Sequence, residues 1–155
     1  MKGITRFDFA LLILRVGVGL IAMFYGAQKL FGVFGGSGIH GTIAFMKNVF
    51  HIPLPLAILA MVGEFFGGLG MIVGALTPLA AFGFACTMAV ATYENWVGHN
   101  LTEVILAKPS PAQASEAFYT VSLFLGAVTI MIAGAGKLSV DAKLFRKGGG
   151  KRAKS

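Results

Sequence analysis

The chain has 155 residues, of which 56% are hydrophobic and only 12% charged, about half the charged share usual in a soluble domain. Its formal charge of +7 gathers at the two ends of the chain, which argues against a nucleic-acid partner and for a membrane protein whose ends are oriented by charge. The single cysteine, Cys86, excludes an internal disulfide and Cys-x-x-Cys thiol exchange by this chain alone.

The first apolar block covers about residues 9–31, and at 1.5 Å per residue it is long enough to cross a hydrocarbon core of roughly 30 Å. Lys2 and Arg6 precede it, as in a signal peptide, but its length and the interruption at Arg15 oppose that reading. A loop follows, with Gly35-Gly36-Ser37-Gly38, and then an apolar segment over 39–50 that predicts a short interfacial helix. Proline at 53 and 55 sets an extended entry to the second block, 54–76. A tight turn near Thr77-Pro78 leads to the third, 79–97. Residues 98–116 read as an irregular connection to the fourth block, 117–136. Within lipid the backbone must satisfy its own hydrogen bonds, so these blocks are helices.

The expected fold is therefore all-α, a four-helix transmembrane bundle over residues 1–141 with a short interfacial helix in the first outer loop. Residues 142–155, rich in Lys and Arg, read as a basic disordered tail. Four spans bring both basic termini to the same side, and the positive-inside rule makes that side the cytoplasm.

Each helix carries a small or polar stripe. In the first, Arg15, Gly19, Ala22, Gly26 and Lys29 recur at steps of four and three and share one face. The second aligns Ala57, Ala60, Glu64, Gly67/Gly68 and Met71, and the third ends its stripe at Glu94. Gly19, Gly26, Gly67 and Gly68 are the expected close-packing positions, and such faces also permit a homo-oligomer. Glu64, inside Gly63-Glu64-Phe65-Phe66-Gly67-Gly68, is the costliest residue of the set. An ionised group at the centre of a bilayer costs on the order of 2.5–3.5 kcal/mol and needs a partner. Counting depth along the helices pairs Arg15 with Glu64 and Lys29 with Glu94, with Tyr25, Gln28 and His99 near the outer end of the same polar core. Nothing in the spacing of His40, His51 and His99 supports a metal site.

In their order and spacing these motifs resemble the DoxX family of small membrane proteins. The match begins with Leu14-Arg15-Val16-Gly17-Val18-Gly19-Leu20 and Gly26-Ala27-Gln28-Lys29-Leu30-Phe31-Gly32. It continues through Gly63-Glu64-Phe65-Phe66-Gly67-Gly68 and Leu76-Thr77-Pro78 to Gly134-Ala135-Gly136-Lys137-Leu138-Ser139-Val140-Asp141. The resemblance implies a bacterial or archaeal cytoplasmic (inner) membrane, a four-helix bundle and association with redox proteins. It also implies kinship to a thiosulfate:quinone oxidoreductase subunit. The chain departs from the family at Tyr25, where members often carry His.

The leading expectation is a membrane redox accessory subunit that takes a quinone-like ligand in the polar core. No motif for an intrinsic cofactor is present, so any redox group comes from a quinone or a partner protein. A non-catalytic scaffold or assembly factor, and a small-molecule or proton-coupled transporter, stay open as rivals.

Overall fold

The computed structural model describes residues 4–97 and 111–149. Among them the structure is helical, with no strand. The helices are α1 (Arg6–Phe31), α2 (Gly38–Val49), α3 (Leu54–Val73), α4 (Thr77–Val97), α5 (Pro111–Ala133) and α6 (Val140–Gly149). Among the described residues three stretches are long and apolar enough to cross a membrane: Arg6–Phe31, Leu54–Val73 and Ala114–Ala133. At 21 residues α4 matches them in length but is more polar, carrying Thr77, Thr87, Thr92, Glu94 and Asn95.

The boundaries have local causes. Thr5 and Asp8 form a reciprocal capping box at the start of α1, each satisfying a backbone N–H of the other. Gly32 closes that helix in the left-handed conformation. At the end of α3, Gly74 takes φ +73°, a conformation that costs glycine little and other residues more. A Cβ there would also sit 2.6 Å from the Arg15 guanidinium and from the Ser139 side chain. Helix α3 therefore stops three residues short of the expected 76, and the turn falls on 74–76, with Pro78 in the first turn of α4.

Two expectations need correction. Helix α5 begins at Pro111, six residues before the expected 117; the rest of the expected connection, 98–110, lies outside the described residues. Residues 140–149 form α6 rather than the start of a disordered tail. Asp141 in its first turn, and Ser139 accepting a hydrogen bond from the Ala142 N–H at 3.1 Å, supply the N-terminal capping that nucleates it.

The four long helices pack in a ring, α1 on α3, α3 on α4, α4 on α5, with α5 returning to α1. Helices α1 and α3 are antiparallel and touch backbone to backbone. A Cβ on Gly26 would lie 2.5 Å from the Phe65 nitrogen, and one on Gly68 would lie 2.5 Å from the Met23 nitrogen. Gly19 faces Gly68 across the same seam, while Gly67 turns to the Ala80 carbonyl of α4. In lipid, where burying apolar side chains gains little over leaving them in acyl chains, such close approach is the main source of helix association. The interior is filled by Val18, Ala22, Met71, Phe84, Met88, Leu123, Ala127 and Ile130. Leu20, Leu125 and Ile132 point outward, as residues facing acyl chains would.

Candidate functional site

The seam between α1 and α3 decides which charges meet. With Gly26 against Phe65, Lys29 stands one helical turn further along the same face, beside Glu64. The Lys29 Nζ donates to both carboxylate oxygens of Glu64, at 2.6 Å each. Glu64 is fully buried, whereas the Lys29 side chain keeps 28% of its exposure. The expected Arg15–Glu64 pair is not formed. Depth counting left the helix register free by a turn or more, and the glycine contacts fix it otherwise.

The Lys29–Glu64 pair forms part of the wall of a cavity of about 870 Å³. Its other walls come from α2 and the loops on either side of it, the first half of α3 and the length of α4 from Leu79 to Glu94. Phe45, Phe50, Leu56, Leu59 and Val90 make most of it apolar, and Thr87, Cys86 and Glu94 face it from α4. Glu94 is partly buried and has no ion-pair partner among the described residues, so the expected Lys29–Glu94 pair is not formed either. Gln28 also lines the cavity and braces its rim, donating from Nε2 to the Phe34 carbonyl at 3.1 Å. Helix α2 is tied to α1 by the buried Thr42, whose hydroxyl reaches the Lys29 carbonyl at 3.4 Å.

Tyr25 does not join this site. It is 42% exposed and stands beside α5, its ring 5.9 Å from that of Tyr119. His99 lies outside the described residues.

Arg15 belongs to a second cluster at the opposite end of the bundle. It is 1% exposed and donates from Nη1 to the Ala135 carbonyl and from Nη2 to the Leu138 carbonyl at 2.7 Å. These carbonyls belong to the segment between α5 and α6, where Gly134 and Gly136 turn the chain in positive φ. Asp141 completes the arrangement from the first turn of α6. Its two oxygens accept from the Leu76 N–H at 2.8 Å and the Thr77 N–H at 2.9 Å, the first donors of α4. Its own N–H donates to the Gly74 carbonyl at 2.8 Å.

Burial alone pushes the Asp141 carboxyl up, but the Thr77 and Leu76 N–H groups and the Arg15 charge outweigh it and hold the group below the usual carboxylate range. Asp8 ties the same segment to α1. It accepts from the Lys137 N–H at 3.1 Å and pairs with the Lys137 ammonium at 3.4 Å. Asp8, Ser139 and Asp141 were not among the expected site residues. The signal for Asp8 was the Thr-x-x-Asp spacing at 5–8, which marks a helix start. Asp141 caps a helix 64 residues earlier in the chain, a contact no local pattern announces.

The two clusters differ chemically. The Arg15 cluster turns both guanidinium Nη groups and the Asp141 carboxylate onto backbone partners and holds three segments together, although Arg15 Nε and the Thr77 hydroxyl are buried with no hydrogen-bond partner among the described residues. Among the described residues the Lys29 cluster leaves one ammonium N–H uncommitted beside a large apolar cavity. No curated protein and no solved structure matches the chain. The DoxX family model matches residues 10–100, more than half the chain, from the first turns of α1 to just beyond α4. It takes in Arg15, Lys29, Glu64 and Glu94 and stops short of the 134–141 segment. The chain belongs to the DoxX family.

Proposed function

We propose that this DoxX-family membrane protein is a redox accessory subunit that binds a quinone-like amphiphile in the cavity beside Lys29 and Glu64. The observation that carries the reading is the cavity itself: about 870 Å³, largely apolar, with one buried charge pair on its wall. That volume falls within the range of small-molecule sites, and a few polar groups in an apolar lining are their usual composition. Intramembrane charges that face a cavity are costly to keep and tend to be functional. The redox context rests on the family.

The residues suit a quinone head. The third Lys29 N–H donates to a ring carbonyl, while Glu64 occupies the other two and fixes the ammonium in place. Glu94 puts a carboxylate on the facing side, within the same cavity, where it accepts a hydrogen bond from a hydroxylated ring. When bound, a quinone supplies two-electron, two-proton redox capacity that no side chain here provides.

In this reading α4 crosses the membrane with α1, α3 and α5 as a fourth span, and both basic ends lie in the cytoplasm. The cavity then opens towards the outer side and the Arg15 cluster faces inward.

Purification in mild detergent followed by solvent extraction tests the proposal. Co-purified quinone, lost in Lys29→Met, is the expected result. No quinone in the extract, together with no thermal shift on adding quinone, overturns it. A scaffold role is the second reading, favoured by the Arg15–Asp141 cluster, whose purpose is structural. It predicts that Glu64→Gln lowers stability and partner recovery together, with no separate loss of quinone.

A further inference from the structure

The Lys29–Glu64 cavity continues past its polar wall. A shallower groove of about 400 Å³ runs between α3 and α4 towards the turn that joins them, and Gly63, Leu79 and Gly83 line both spaces. The continuity has a packing cause. Near the turn the helices are tight, since a Cβ on Gly67 would lie 3.1 Å from the Ala80 carbonyl and one on Gly70 would lie 3.0 Å from that of Ala75. One turn further from the junction the helices part. Gly63 and Gly83 there would meet nothing within 4 Å. The opening this leaves connects the cavity to the groove, whose rim of Phe66, Leu69 and Val73 is apolar and exposed.

We infer that the ligand is a long-chain amphiphile, its polar head at Lys29 and its single apolar tail laid along the α3–α4 groove towards the Arg15 end. This rests on the reading of the cavity as a ligand site and adds the class of molecule it accepts. Polarity is distributed as such a molecule requires, with the charge pair at one end and an apolar groove leading away from it. From Glu64 to Val73 the groove follows α3 for about 13 Å before it reaches the turn, room for the first part of a polyprenyl or acyl chain rather than a compact solute. A tail in lipid gains little from exchanging acyl neighbours for apolar side chains. The groove therefore selects by shape: it accepts one slender chain and leaves the head free to reach Lys29.

The test uses two substitutions on the groove rim, outside the head site. Leu69 and Val73 stand about 7 and about 13 Å along α3 from Glu64. Leu69→Trp and Val73→Trp, in full-length protein in nanodiscs, are titrated with a short-tailed benzoquinone and with the same head on a long polyprenyl tail. Thermal unfolding checks each fold. The expected result is about a tenfold loss of affinity for the long-tailed quinone in both variants, with short-tailed binding unchanged. A tail of intermediate length should sense Leu69→Trp and not Val73→Trp.

If short-tailed quinone binds the parent protein and neither substitution discriminates between tails, the groove inference fails while the cavity reading stands. If neither quinone binds the parent protein, the cavity reading fails and takes the groove with it. A change of oligomeric mass in the variants would make the groove a contact between copies of this chain and overturn the inference.

Discussion

Arg15 and Lys29 share one stripe of α1, about 21 Å apart along its axis, and meet opposite surroundings. Arg15 is sealed among the carbonyls of Ala135 and Leu138 with Asp141 near by. Lys29 has a single carboxylate partner and a cavity at its side. A planar guanidinium with forked donors suits the first place, where several acceptors converge from different segments. A compact ammonium with three donors suits the second, where one bond is left for something else. One cation closes the bundle and the other furnishes a site.

Substitutions at the two positions should separate these roles. Arg15→Met leaves two carbonyls and the Asp141 charge without their cation, and we expect a loss of about 3–5 kcal/mol, as when one partner of a buried ionic group is removed. Thermal unfolding in detergent measures it. Arg15→Lys should recover less than half, because an ammonium cannot reproduce the two-pronged geometry.

Lys29→Met strands the buried Glu64 carboxylate, with a smaller expected loss of about 3 kcal/mol because Lys29 is partly exposed. The double variant Lys29→Met/Glu64→Leu should regain most of that stability and none of the quinone binding. If it regains binding, the pair is only a structural lock.

Legibility in the sequence followed the same division. The helices were readable because apolar blocks of membrane length leave the backbone few alternatives. The importance of Glu64 was readable because its cost in lipid does not depend on its neighbours. Its partner was not. Depth along two helices is known only to about a turn, and the contacts of Gly26 with Phe65 and of Gly19 with Gly68 set the register. Tyr25 was placed with the site by its depth along α1, but it lines no part of the cavity and sets its ring beside Tyr119 of α5 instead. The Asp141 cap joins α4 to α6 across 64 residues, and composition made those last residues look unstructured. The cavity follows from the parting of α3 and α4 beyond Gly67, which only packing reveals.

Asp141→Asn should cost about 1–3 kcal/mol, the range for weakening hydrogen bonds to a charged group. Its pH dependence has a definite sign. The folded carboxyl titrates below its ordinary value, so its stabilisation is complete above the unfolded value of about 3.9 and is lost as pH falls through the folded pKa. The gap in stability between the parent protein and Asp141→Asn should be constant above about pH 5 and narrow on acidification. A gap that widens would contradict the Asp141 assignment. Least of all should change in Tyr25→Phe, within ~0.5 kcal/mol in stability and without effect on quinone affinity, since Tyr25 lies outside the cavity.

The most direct test of the central claim is an experimental map of the protein purified in native lipid. The account predicts non-protein density within hydrogen-bonding distance of the Lys29 ammonium, bounded by α2, α3 and α4, that disappears in Lys29→Met. A cavity closed by side chains, with Lys29 turned wholly onto Glu64 and no ligand beside it, would contradict the account.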